Sequence, residues 1–106
     1  MTRIDATDLL PADRIRQKVL AGEVTQLHRG DRHADPGDTF VIDDTEFVVT
    51  TVRSERLGEL TDEDARKEGS ADLAAYKQRI ERTHDREWDD DTEAVLHRFE
   101  PREDHR

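Results

Sequence analysis

Arg29 closes the stretch VLAGEVTQLHRG (residues 19–30), in which an apolar pair runs into Ala21-Gly22 and then into a short Thr/Gln/Leu/His run. The pattern predicts a helix end turning directly into a strand whose far end carries a cation. A guanidinium there presents a planar fork that can grip a phosphate, a carboxylate or a base edge. His28, Asp31, His33 and Asp35 are residue types that ligate metals, but they fall in a Gly/Pro loop without fixed ligand spacing, so polar loop residues are expected and no metal site. His84-Asp85 reads as a helix-end pair in which the dipole alone favours the histidine. Trp88, close to Arg86, can stack on a base of a single-stranded nucleic acid or pack against the fold. The triple aspartate at 89–91 reads as a solvated loop.

The elements that must position these groups are legible in outline. Pro11 to Leu20 predicts a first helix, with Pro11 at its first position and Gly22 as a left-handed residue past its end. Ala12, Ile15 and Val19 share one face of it, and Arg14, Gln17 and Lys18 point outward. Thr25 to Arg29 is a short strand, and GDRHADPGD (30–38) is turn chemistry. Phe40 to Ile42 and Glu46 to Arg53 predict two strands joined by a tight turn at Asp43-Asp44. Apolar residues on both faces of these strands imply helices on both sides. Thr61 caps a second helix that Gly69 ends, Ser70 caps a third carrying Leu73, Tyr76 and Ile80 on one face, and Glu93 to Phe99 is a last strand. Helix, strand, hairpin, two helices and strand, without a βαβ rhythm, indicate an α+β fold with a small, partly open β-barrel and flanking helices.

With 106 residues the chain suits one domain, its core about residues 9–100, with 101–106 a frayed tail. Only 32% of the residues are apolar and 42% are charged, so a thin core under a charged shell is expected. The net charge is -10, and among the cations 14 are Arg and 3 Lys, a composition like that of cytosolic proteins of extreme halophiles. The charge is uneven: residues 1–36 balance to zero and residues 37–106 carry the whole excess. A global basic patch, the usual footprint of nucleic-acid binding, is absent, though high salt weakens the phosphate term anyway. No cysteine is present, so disulfides and thiolate metal sites are excluded. The N-terminus lacks the pattern of a signal peptide and nothing approaches a membrane span, so a cytoplasmic protein is expected.

At Gly22 and Arg29, seven apart, and at Gly37-Asp38, LTDEDARKEG (60–69) and the closing VLHRFE, the chain resembles the ASCH domain, a branch of the PUA-like superfamily. The resemblance covers about residues 9–100 and implies the PUA-like barrel with flanking helices. ASCH amidohydrolases, which remove an acyl group from modified cytidine, use a Lys, a Thr and a Glu. Carried over one by one, the Lys position is Val24, the Thr position is Leu27 and the Glu position is Glu68. Thr25 stands beside the lost lysine but on the opposite strand face.

What the resemblance leaves in a cleft between barrel and helices is Gly22, Arg29 and Glu68, with His28 and Arg53. Arg29 is expected either to anchor a ligand or to form a buried ion pair with Glu68; Glu68 is expected to partner Arg29, to read a base, or to face solvent before Gly69. The implied function is binding of RNA or of a modified nucleoside by a monomer, with no cofactor. The alternatives are a nucleoside amidohydrolase of the N4-acetylcytidine type or a ribonuclease, with Glu68 its retained catalytic group, and a regulatory module that binds a protein partner.

Overall fold

Asp43 and Asp44 both adopt left-handed backbone, with φ of 44° and 69°. Short acidic side chains tolerate that region, and two such residues in succession make the hairpin turn whose twist matches its strands. The turn joins β2 (Thr39–Ile42) to β3 (Thr45–Arg56) in the computed structural model, which describes residues 2–84 and 88–102. With β1 (Gln26–Arg29) and β4 (Glu93–Pro101) they form one antiparallel sheet in the order β1-β4-β3-β2. The sheet is an α+β half-barrel, open as expected: a register shift between Val49 and Thr51 bends β3, and single bridges from Arg3 to Thr39 and Val24 to Glu68 extend its two edges.

The helices are α1 (Ala6–Leu9), α2 (Asp13–Leu20), α3 (Asp62–Lys67) and α4 (Leu73–His84). The one-turn α1, absent from the sequence reading, starts where Asp5 accepts a hydrogen bond from the Thr7 amide. Pro11 separates α1 from α2 instead of opening α2, whose N-cap is Ala12. Gly22 takes the left-handed φ of +78° expected past the helix end. Thr61 caps α3 with a reciprocal bond pair to Asp64, as predicted. The cap of α4 is Asp72, which accepts from the Ala75 amide, rather than Ser70; the chain runs two residues farther before its helical turn begins.

Two apolar clusters cover the sheet. One packs α1 and α2 on the strands through Leu9, Leu10, Val19, Phe40, Phe47, Val49 and Phe99, with Phe40 stacked on Phe47 and edge-on to Phe99. The other joins Leu60, Ala65 and Tyr76 to Leu57, Leu73, Ile80 and Trp88. Successive β1 residues serve the two sides in turn: Leu27 packs on the first cluster, while Gln26 and His28 reach α3. Among the described residues no helix is long and apolar enough to cross a membrane.

Candidate functional site

Glu68 is the C-cap of α3, and Gly69, at φ +89°, turns the chain so that the carboxylate enters the interior with no exposed surface. The backbone there is tied to β1's approach by the Thr25 amide, which donates to the Lys67 carbonyl at 2.8 Å. One carboxylate oxygen, Oε1, accepts from the His28 amide at 3.0 Å and the Tyr76 hydroxyl at 2.9 Å. The other, Oε2, accepts from His28 Nδ1 at 2.7 Å and Gln26 Nε2 at 3.1 Å. Four donors converge on one side chain, the satisfied state a buried carboxylate requires. The solvent-facing reading of Glu68 is thereby excluded.

The expected ion pair between Arg29 and Glu68 does not form, because strand alternation gives the place to His28. The His28 ring, 2% exposed, lies between two carboxylates, with Nδ1 on Glu68 and Nε2 on Glu55 at 2.9 Å. Burial works against its charged form. The hydrogen bonds and charges of Glu68 and Glu55 outweigh burial and raise its pKa above the ordinary 6.5. Both ring nitrogens face acceptors, so the ring is an imidazolium. Arg53 then pairs with Glu55 at 3.2 Å, at the half-exposed end of the chain of contacts. Burial first, and the Glu68 charge after it, push the Tyr76 hydroxyl far up, so it remains a donor.

Arg29 sits on the other face. Its Nη1 donates to the Leu9 carbonyl at 2.7 Å and the Asp8 carbonyl at 3.1 Å, closing the C-terminal end of α1. Its Nε and Nη2 make no hydrogen bond among the described residues. Gly22 is exposed at the end of α2 and does not border the cleft described below. Val24 is buried with its Cγ2 against Gly69, and Leu27 lies in the first apolar cluster. The two positions that the resemblance assigns to a Lys and a Thr are thus filled by packing.

Beside this network opens a cleft of about 220 Å³ between the sheet and α4. His28 and Tyr76 form its inner end, Leu57, Ile80 and Trp88 its apolar walls, and residues 29–30 and 92–94 its rim. Trp88 is pinned there by Nε1 donating to Asp90 at 2.7 Å and by its amide donating to Glu81 at 2.8 Å. Its ring meets Tyr76 edge-on at 6.0 Å, and Lys77 Nζ lies 5.3 Å from its centroid. Asp85 and Arg86, which the sequence associates with His84 and Trp88, lie outside the described residues. Among the described residues no group of three or more metal-ligating side chains gathers, so His28, Asp31, His33 and Asp35 do not converge.

The sequence reading missed Gln26, Glu55 and Tyr76 as members of the network. Gln26 has a signal: it shares strand parity with His28. Its amide also reaches Asp64 at 3.3 Å, while Arg98 Nε donates to its oxygen at 3.2 Å. Glu55 has one too, since it stands two residues after Arg53 on one strand and so shares its face. Tyr76 is hidden by the loop between two helices.

No family model and no curated protein matches the sequence. Solved structures do. The ASCH domain from Lactobacillus crispatus JV V101 superposes with a TM-score of 0.66 at 17% identity, over 94% of this chain and 78% of that one. A protein from Enterococcus faecalis V583 described as DUF984 superposes with a TM-score of 0.57 at 15% identity, over 94% of this chain and 74% of its own. At that likeness over nearly its whole length, this chain has the fold of an ASCH domain.

Proposed function

We propose that this domain binds a nucleobase, carried by RNA or by a free modified nucleoside, in the cleft between the sheet and α4. One observation carries the reading: an aromatic and aliphatic slot, walled by Trp88, Leu57 and Ile80, ends on polar groups whose positions are fixed by Glu68. A volume of about 220 Å³ is below the roughly 300–1,000 Å³ of drug-sized pockets and suits a single ring system. A preformed apolar slot with few fixed polar groups is the usual build of such a site. The likeness to an ASCH domain supports the same reading, as does Trp88, since every base has a face to set against an aromatic ring.

Binding is favoured over hydrolysis of an acylated cytidine. A hydroxyl nucleophile and its base must lie within hydrogen-bond reach of each other. Leu27 and Val24 supply neither, and the acceptor positions of Glu68 are occupied by internal donors. Arg29 borders the cleft through the end of β1, while its guanidinium is committed to the Asp8 and Leu9 carbonyls on the α1 side.

The test is an amide-resolved NMR titration at high KCl with cytidine, N4-acetylcytidine and a short single-stranded RNA. Shifts confined to residues 28–30, 76–80 and 88–94 are expected. Absence of shifts with every probe would refute the reading and favour a protein partner. Product signals from N4-acetylcytidine would replace binding with hydrolysis.

A further inference from the structure

Residues of β4 outrun β1. The β1–β4 register pairs Gln26 with Arg98 through Arg29 with Val95, and there β1 ends, whereas β3 keeps pairing with β4 as far as Arg56 with Glu93. In an antiparallel ladder the residues that exchange hydrogen bonds alternate with those that do not. The Phe99 amide donates to the Thr25 carbonyl, which fixes the odd-numbered residues of β4 as those whose main chain faces β1. The Leu57 amide donates to the Thr92 carbonyl, which fixes the even-numbered ones as those facing β3. Glu93 therefore turns both its N–H and its C=O toward the β1 side. Arg56, opposite Glu93 on β3, accordingly donates its amide to the Glu59 side chain and not across the ladder.

The residue that would meet Glu93 in a continued β1 is Asp31, and no hydrogen bond joins them among the described residues. The chain leaves the edge at Gly30 because its loop is fastened elsewhere: the His33 amide donates to Nε2 of the buried His97 at 3.1 Å. The space where one more residue pair would lie is the rim of the cleft, bordered by Gly30, Thr92, Glu93 and Ala94.

We infer that the main-chain N–H and C=O of Glu93 read the ligand, binding the edge of a planar heterocycle that presents an acceptor beside a donor. Cytosine offers such an edge in N3 and its N4 amino group, and the ring then lies in the apolar slot against Trp88. This deepens the proposed function and rests on it: the cleft supplies the stacking surface and the truncated strand supplies the hydrogen bonds. Other bases also carry a donor next to an acceptor, so the class selected is an unblocked Watson–Crick edge, not one base.

The experiment compares cytidine with N4,N4-dimethylcytidine, which lacks the N4 donor, and uridine with 3-methyluridine, which lacks the N3 donor, on the intact chain. The unblocked member of each pair should bind about tenfold or more tightly than the blocked one, with a downfield shift of the Glu93 amide. Glu93→Pro deletes the donor at a main-chain position that makes no ladder bond, at the first residue of β4, where a strand tolerates proline. It should abolish the response to cytidine, while Glu93→Ala, which keeps the amide, should preserve it. Should Glu93→Pro fail to fold, the blocked nucleosides alone decide. Equal affinity for blocked and unblocked nucleosides, with cleft amides still shifting, overturns the Glu93 assignment and leaves base binding intact. No shift with any nucleoside overturns both.

Discussion

Stability should peak near pH 6.5, the ordinary histidine value, because the two buried histidines titrate in opposite senses. His97 has no exposed surface, and its Nε2 accepts from the His33 amide, so the ring must stay neutral. Burial, helped by the nearby His33, pushes its pKa down to about 4. Between 4 and 6.5 the unfolded chain therefore binds the proton and the folded one does not, so stability falls as pH falls through that window. At about 1.4 kcal/mol per unit, the full limb amounts to roughly 3 kcal/mol. His28 behaves oppositely. Its folded pKa is raised, so the folded state holds its proton more tightly; the stability this contributes is complete below 6.5 and is lost as pH rises through the folded pKa. The assay is urea unfolding followed by Trp88 fluorescence at fixed ionic strength, from about pH 4.5 to about pH 9. The lower bound stays clear of Asp5 and Asp64, whose carboxyls are held below 3.8 and so titrate at lower pH. His97→Gln retains an acceptor for the His33 amide without a titrating ring and should flatten the acid limb. An acid limb of unchanged slope in that variant, or stability that climbs steadily above pH 6.5 in the parent, would refute the reasoning.

Glu68→Gln should lower the urea-derived unfolding free energy by about 3–5 kcal/mol, because an amide cannot accept from all four donors and leaves the His28 charge without its inner partner. Glu55→Gln, at a carboxylate 20% exposed, should cost about 1 kcal/mol in the same measurement. Gly69→Ala should cost about 1–2 kcal/mol by thermal melting, since φ is +89° and the new Cβ would sit 3.2 Å from Val24. Arg29→Ala should accelerate hydrogen exchange in residues 6–10 more than elsewhere, because two carbonyls of α1 lose their donor. The melting temperature should rise with KCl up to about 1 M, where the screening length falls to roughly 3 Å and 27 acidic groups cease to repel one another at a distance.

The elements were legible where local chemistry dictates them. Thr61 and Gly69 bracket α3 through a cap and a left-handed turn, and Asp43-Asp44 makes a hairpin whatever surrounds it. Errors arose where tertiary contacts decide. Four residues cannot sustain a helix in isolation, and α1 exists because Leu9 and Leu10 are buried and Arg29, 20 positions away, closes its end. Ser70 and Asp72 are both good caps, and the competition is settled by Asp62, which accepts from the Leu73 amide and so marks where α4 begins. For the site, residue types were readable and partners were not. Arg29 and His28 are adjacent cations near a carboxylate, and only the face each presents decides that His28 takes Glu68 while Arg29 takes main-chain carbonyls. A shift of one residue in the start of β1 would have exchanged them.

Glu68 is a carboxylate whose surroundings fit a structural joint and not a proton-transfer group. A catalytic carboxylate needs an acceptor position open to the proton it is to move, and a pKa that lets it let go again. Here every acceptor position of Glu68 holds a donor that belongs to the fold: a main-chain amide, a tyrosine, a glutamine and an imidazolium. Opening one of them for substrate would leave a buried charge or hydroxyl without its partner, at a cost of several kcal/mol. Val24 and Leu27, at the positions the resemblance assigns to a Lys and a Thr, are packed apolar and offer no polar group of their own. The carboxylate is thus the joint between β1, α3 and α4, and its contribution to the cleft is indirect. It holds His28 and Tyr76 still at the inner end, while at the rim the end of β1 leaves main-chain groups of β4 without a ladder partner, the groups to which the function proposed above gives recognition.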